Sequence, residues 1–398
     1  MSAAGQPVTA QQQAQAAVQA NALARSLITS RAIKMTQNIY SNVINPQNTQ
    51  LVQIPIRQVG LVIGWWVELA ITVADPGSGN GYGLTPFGPA NVLNQIVLTD
   101  LNNNVRIQTA GWHLHFVNSA KKRRPFCAAR TNTAYPISYG ANWTTTFAAE
   151  TITHDAQPTV YMLYWVPCAY SDYDLRGAIY MNVVNATAYL QLQIATSAQA
   201  FVAAGADPTL AVYQANLGAP TSGWGTSCTI NVYQVYYDQL PTANGQVVLP
   251  YTDLSAIYEI KTIGAQTGMT TGQDFPIPYS NFRDFLSTFV VWDNGGTLDT
   301  GQFTNYWALQ SANFTNIFKE DPGLIAMQSR NEIGDDFPNG VYYFASRDKP
   351  ISTVQFGNMA LVLNPTGTIN AGAQLLVGYE DFALVNTLVG AASLQTNA

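Results

Sequence analysis

Between Val59 and Val73 every odd position is apolar (Val59, Leu61, Ile63, Trp65, Val67, Leu69, Ile71, Val73), while the even positions include Gly60, Gly64, Glu68 and Thr72. A period of two puts one set of side chains on one face of a β-strand. At ~3.3 Å per residue the strand would span about 50 Å, longer than usual, so Gly60 and Gly64 are expected to mark bends or bulges. A strand of that reach belongs to a large β-sandwich or barrel.

The rest of the chain continues in the same manner from Asn45-Pro46 onward. Asn94 to Thr99 and Val105 to Thr109 flank a polar turn, Asp100 to Asn104, and read as a hairpin. Val160 to Val166 is a short, nearly continuous apolar run, expected to be a strand buried on both faces. Further strands are expected at Tyr189 to Ile194, Thr229 to Tyr237, Gln246 to Leu249, Phe289 to Trp292, Val341 to Phe344, Met359 to Leu363 and Leu375 to Tyr379. Two helices announce themselves by a capping Asp followed by Pro, at Asp207-Pro208 and Asp321-Pro322. Leu240 to Gly245 carries turn chemistry at a plausible domain boundary. The pattern predicts two all-β domains, the second with more helical insertions.

The first forty residues are different. Gln11 to Asn21 is rich in Ala and Gln, and Ala20, Leu23, Leu27, Ile28 and Arg31 recur at helical spacing, which predicts one amphipathic helix outside the strand pattern. Both domains are therefore expected to fold without it. No acidic residue precedes Glu68, so Arg25, Arg31, Lys34 and Arg57 make this end basic in a chain of net charge -6. Such a segment suits anionic lipid, nucleic acid or a partner helix.

Only 10% of the 398 residues are charged, against roughly 25% in ordinary soluble domains, so much of the surface is expected to be covered by other subunits. No run reaches the ~18 apolar residues of a membrane-spanning helix, and the N-terminus lacks the apolar core of an export signal. Cys127, Cys168 and Cys228 are odd in number and apolar-flanked, which predicts reduced structural thiols. The sequons at Asn142, Asn185 and Asn313 carry little weight without an export signal.

Candidate chemistry is sparse. His113-Leu114-His115 would present both imidazoles on one face of a strand, as metal-binding cupins do, but four cations, Lys121 to Arg124, follow where a Glu ligand is needed. Two structural histidines and no metal site are expected. The Lys121 to Arg124 run stands alone, so it reads as an exposed or interface loop without sequence-specific nucleic-acid recognition. The glycines of Asp75 to Gly83 precede no helix and do not make a phosphate loop. The pairs Asp172 with Asp174, Asp335 with Asp336, and Glu380 with Asp381 read as solvated or capping groups. No catalytic residue and no cofactor are expected.

Several stretches resemble the tectivirus major capsid proteins. They include Phe87 to Asn91, Gly111 to Asn118, Tyr164 to Pro167 with Ala169 to Ser171, Asp238 to Pro241 and Asp253 to Ser255. Later ones are Asp293 to Gly296, Asp336 to Pro338, Gly340 to Tyr343 and Arg347 to Ile351. The resemblance runs in order along nearly the whole chain, weakest at Asp75 to Gly83, Lys121 to Arg124 and the two tails. It implies an all-β double jelly roll with an N-terminal helix and short helical insertions. The expected layout is an arm over 1–40, jelly rolls over 41–243 and 244–388, and a flexible tail over 389–398. It further implies pseudo-hexagonal homotrimers tiling an icosahedral shell over an internal membrane, with the arm at the base and Arg25, Arg31 and Lys34 facing that membrane. Partners would be other copies, vertex and minor capsid proteins and the membrane, and the location the virion, with host cytoplasm before assembly. A host-receptor or glycan-binding jelly roll and a cupin-type enzyme are the alternatives. The first calls for aromatics and carboxylates clustered on loops, the second for bound metal.

Overall fold

The computed structural model describes residues 10–384 except 47–50, 74–80, 86, 88, 123–128, 131–150, 154–158, 184–186, 203–208, 210, 212, 216–224, 244, 249–255 and 335–336. Eight principal strands build the first half: β1 (Ile33–Ile44), β2 (Leu51–Pro55), β3 (Leu61–Val73), β4 (Leu93–Thr99), β5 (Val105–Thr109), β6 (Thr159–Pro167), β7 (Tyr189–Ile194) and β8 (Gly225–Asp238). They pair as two sheets, β1-β8-β3-β6 and β2-β7-β4-β5. The second half repeats this order with β9 (Ala256–Gln266), β10 (Phe275–Pro278), β11 (Arg283–Asn294), β12 (Thr304–Ser311), β13 (Phe318–Glu320), β14 (Val341–Ala345), β15 (Met359–Pro365) and β16 (Ala373–Leu384). Its sheets are β9-β16-β11-β14 and β10-β15-β12-β13. Two sheets with this permutation are a jelly roll, so the chain is a double jelly roll.

The rolls share structure. Strand β5 pairs parallel to β9 through Ile107 opposite Ile260 and Gln108 opposite Lys261, so a sheet of the first roll continues into a sheet of the second. The helix α2 (Gly111–Lys122) leaves β5 and buries every residue from Gly111 to Ala120. Trp112 and Phe116 lie in the first roll's core, and Phe116 stacks on Phe289 of β11 at 6.0 Å. Strand β11 is consequently buried on both faces. Phe289 and Val291 belong to the core shared with the first roll, while Val290 and Trp292 belong to the core of the second. Strand β16 divides likewise, Leu376 and Phe382 against Leu375, Val377 and Tyr379.

The expected strands are present, although Gln246 to Leu249 is reduced to Gln246–Val247 with Leu249 outside the described residues, and the exceptions are informative. In β3, Trp65, Val67, Leu69 and Ile71 are fully buried and point into the first core. Leu61 and Ile63 instead join a separate cluster with Ile28, Val235 and Tyr237. The register against β8 slips between Val235, opposite Gly64, and Tyr236, opposite Val62. Ile63 is thus an extra residue in a bulge, and the bulge reverses which face the apolar positions occupy. Strand β6 alternates buried Met162, Tyr164 and Val166 with half-buried Leu163 and Trp165, rather than being buried on both faces. The 5-residue hairpin turn at Asp100 is as expected, and Asp100 accepts from the amides of Asn102 and Asn104.

Helix expectations divide by whether a packed helix follows the cap. Asp321 caps α4 (Pro322–Ile333), accepting from the Leu324 amide at 3.0 Å. After Asp207-Pro208 the described residues are not helical: Thr209 is in a turn and Tyr213–Ala215 is a strand pairing with Gly81–Leu84. Those last residues close the glycine loop as a strand, while 75–80 lie outside the described residues. A short helix α3 (Ser197–Ala200) lies between β7 and β8, and α5 (Thr353–Phe356) between β14 and β15. Among the described residues the second roll is therefore not the more helical one, because α2 belongs to the first. His113-Leu114-His115 lies on α2, not on a strand, so positions two apart point to nearly opposite sides.

The N-terminal helix α1 (Ala10–Arg31) is not outside the core. Ile28 is fully buried against Leu61, Ile63, Val235 and Tyr237, and Ala24 one turn earlier is nearly fully buried, whereas Leu23 remains 61% exposed.

Packing of α2 on the second roll requires a bare position on β16. A Cβ on Gly378 would overlap the His113 ring, which is held by Phe289 at 5.7 Å and by a 2.8 Å hydrogen bond between its Nδ1 and Thr109 Oγ1. Gly378→Ala is expected to destabilise the protein by about 1–3 kcal/mol through overpacking. Denaturant unfolding that gives wild-type stability would show that α2 can shift.

Candidate functional site

The two rolls meet on a polar cluster centred on Glu380, a fully buried residue in the middle of β16. Its Oε1 accepts from the Tyr258 hydroxyl at 2.6 Å and faces the Lys121 ammonium at 3.1 Å. Its Oε2 accepts from Ser287 at 2.8 Å and from Arg347 Nη2 at 2.6 Å. Lys121, at the end of α2, donates to Tyr258 Oη and the Tyr170 carbonyl and lies 4.5 and 4.2 Å from the Tyr170 and Tyr258 ring centres. Burial by itself would raise the Glu380 carboxyl, but Arg347 and Lys121, with the Tyr258 and Ser287 hydroxyls, hold it down to about 2. Burial lowers Lys121 to about 8 against the pull of Glu380.

A second cluster lies beside it. Glu259 of β9 stands directly opposite Asp381 of β16, and Arg283 of β11 donates to both. Lys261 reaches Glu259 at 2.6 Å. Burial, with Glu259 adding to it, outweighs Arg283 and pushes Asp381 up to about 7. The readings of Glu380 and Asp381 as solvated caps, and of Lys121 as part of an exposed loop, are therefore corrected. Each is turned inward onto partners far away in sequence. Arg123 and Arg124 lie outside the described residues, as do His154, Cys127 and Asp335-Asp336.

Asp172 and Asp174, in the turn after β6, receive the N-terminal cations. Lys34 Nζ is 2.7 Å from Asp172, and Arg25 is 3.6 Å from Asp174, which Arg176 holds below its ordinary range despite partial burial. Arg31 is exposed. The structure thus brings Arg25 and Lys34 to one loop and leaves Arg31 apart. Strand β1 next to them forms the edge of its sheet, and Lys34 is its sole charged residue. Ile33, Met35 and Val43 on it are 48%, 40% and 62% exposed, an uncharged edge with apolar side chains facing out.

His113 and His115 are buried, and burial lowers each to about 3, so both are neutral at neutral pH. They lie on a helix with rings packed among Trp112, Phe116 and Phe289. Among the described residues no three His, Cys, Asp or Glu side chains gather as a metal site. Cys168 and Cys228 are buried free thiols, each pushed up to about 12 by burial.

Comparison with known proteins agrees with this geometry. Residues 3–240 match the family described as P3 major capsid protein N-terminal, and residues 255–396 match P3 major capsid protein C-terminal. The chain is 39% identical over 395 residues to the major capsid protein P3 of Enterobacteria phage PRD1, covering 98% of this chain and 99% of that one. Among solved structures, the capsid chain of Sulfolobus Turreted Icosahedral Virus aligns with a TM-score of 0.61 at 10% identity, over 88% of this chain and 91% of that one. The capsid protein of PBCV-1 virus aligns with a TM-score of 0.52 at 11% identity, over 88% and 94%. At such identities these two report a shared fold.

Removing one partner of a buried ion pair typically costs about 3–5 kcal/mol, so Glu380→Gln is expected to destabilise the protein by that order at pH 7. The pH dependence has a sign. Glu380 goes from its usual 4.5 to about 2 on folding, so its contribution is complete above pH 4.5 and is lost as pH falls through 2. Asp381 acts oppositely, its contribution declining as pH rises from 3.8 to about 7. Unfolding curves for wild type and Glu380→Gln should therefore converge on acidification below pH 4.5. A constant difference between them down to pH 2 would contradict this assignment.

Proposed function

The chain belongs to the P3 major capsid protein family, and on that premise we propose how its copies assemble. It is a coat protein of the virion that assembles with other copies of itself into the capsid shell. In our reading three copies close into a pseudo-hexagonal trimer, and trimers tile an icosahedral shell over an internal membrane. The observation that carries this reading is the edge strand β1. Twelve residues long, charged only at Lys34 and carrying exposed Ile33, Met35 and Val43, it has the composition of a covered interface rather than a solvated edge.

The arm would then lie at the base of the trimer. Arg25, Arg31 and Lys34 stand at the end of α1 and the start of β1, where anionic headgroups would add to the pairs that Arg25 and Lys34 already make with Asp174 and Asp172. Vertex and minor capsid proteins would contact the outer margins, and newly made trimers would collect in the host cytoplasm. The expected arm over 1–40 overlaps β1, so we place the start of the first roll at Ile33 and keep its division from the second roll at 243/244. Glycan or receptor recognition is not favoured by a family match that spans both rolls.

Light scattering of the purified protein under reducing conditions should give the mass of a trimer, and a monomer across micromolar concentrations would refute the trimer. The arm allows a sharper measurement. Deleting Met1 to Asn21 should leave the trimer and its Tm unchanged while impairing shell assembly, because this segment stops short of Ala24 and Ile28. Deleting through Ser30 should lower Tm as well, since loss of a buried Ile side chain alone costs about 2–5 kcal/mol. Equal melting of both truncations would mean that Ile28 does not anchor the arm.

A further inference from the structure

On the outer face of the β1-β8-β3-β6 sheet, Trp66 of β3 stands in register with Trp165 of β6, their ring centres 4.8 Å apart. The two half-buried indoles floor a pocket of about 480 Å³. Lys34 of β1, Lys121 and Lys122 of the last turn of α2, and the turn carrying Asp172 and Tyr173 form its walls. Three lysines thus face one lining carboxylate. Asp172 is matched by Lys34 at 2.7 Å. Lys121 at the back is matched by Glu380, and Arg347 beside it by Glu380 and Glu332. Lys122 is exposed and has no ion pair among the described residues. Tyr173, 84% exposed, completes an aromatic rim.

A floor of indole faces beside one ammonium without an ion pair among the described residues, that of Lys122, suits a ligand that joins a compact anion to a less polar body. Trp and Tyr are adapted to such a boundary, with an apolar ring and a polar tip, and lysine ammonium groups bind phosphate oxygens by charge-assisted hydrogen bonds. We propose that this pocket binds the phosphate diester headgroup of an anionic phospholipid, with Lys122 and Lys34 on the phosphate and Trp66 and Trp165 under the glycerol. The proposal rests on the reading that the α1–β1 end of the first roll faces a membrane, and names the chemistry met there. A soluble phosphate ester offers the same anion without the acyl chains, and the test separates the two.

The test uses the full-length protein and vesicles of phosphatidylcholine with and without one-quarter phosphatidylglycerol. Wild type should co-sediment with the anionic vesicles. Lys122→Gln should bind them roughly tenfold more weakly, the factor associated with one charge-assisted hydrogen bond, at unchanged Tm because the side chain is exposed. Short-chain phosphatidylglycerol should shift tryptophan emission, and Trp66→Phe should remove most of that shift. Glycerol phosphate at equal concentration should do little. Wild-type binding that neither variant weakens would overturn the pocket while leaving the membrane reading intact. If glycerol phosphate matches the lipid in the fluorescence assay, the ligand is a soluble phosphate ester and the lipid assignment falls. Absence of vesicle binding by wild type would overturn the pocket and the membrane reading together.

Discussion

A fully buried carboxylate must be matched where it lies, and Glu380 is matched from both halves of the chain. Lys121 comes from the helix of the first roll, Tyr258, Ser287 and Arg347 from the second. An apolar contact between two sandwiches can slide, because dispersion and burial change little with small displacements. A contact containing Glu380 resists sliding: moving one roll relative to the other withdraws Lys121 and leaves charge under-compensated in a low-dielectric site. The β5–β9 pairing fixes the same relation through backbone hydrogen bonds at Ile107 and Ile260. For a coat protein, the angle between the rolls determines the outline that each copy presents to its neighbours.

That joint also explains where the few charges go. Arg106, Lys121, Arg283 and Arg347 all have side chains no more than 20% exposed, and each is paired with a carboxylate. With only 17 Lys and Arg in 398 residues, turning four inward leaves an exterior poorer in charge than the composition indicates. The edge strand β1 shows the result, with one lysine and a row of amide, hydroxyl and apolar side chains. Low charge is therefore connected to assembly twice, through inward-turned pairs, of which Lys121–Glu380 joins the rolls, and through outer faces that other copies can cover at little desolvation cost.

Most strands were legible because alternation is a local property of a half-buried sheet. Trp65 to Thr72 reads correctly, and the Asp100 turn reads correctly because Asp and Asn favour it by their own side-chain geometry. The failures involve information held elsewhere in the chain. The face reversal at Ile63 depends on β8 supplying one residue fewer than β3. The helix α2 is buried on every side, so it has no polar stripe, and Trp112 to Phe116 imitates strand alternation. Asp207-Pro208 and Asp321-Pro322 look alike, but only the second precedes a segment that packs Ile325 and Ile333 inward. Glu380-Asp381 reads as a solvated or capping pair because its partners, Lys121, Arg347 and Arg283, cannot be read from its neighbours. The edge at β1 and the anchoring of Ile28 needed the fold before they had meaning.

The arm combines these constraints. Its last turns are built into the first roll through Ile28, on the face that the Ile63 bulge turns outward from the main core, with Ala24 buried one turn earlier. Without that bulge Leu61 and Ile63 would point into the sandwich, and α1 would find no apolar seat. The same turns bring Arg25 and Lys34 to the Asp172–Asp174 loop, whose Tyr170 carbonyl in turn receives Lys121. One continuous set of contacts therefore runs from α1 through the loop after β6 to the joint at Glu380. Only Ala32 separates the end of α1 at Arg31 from the start of β1 at Ile33, so the arm enters the first roll without an intervening loop.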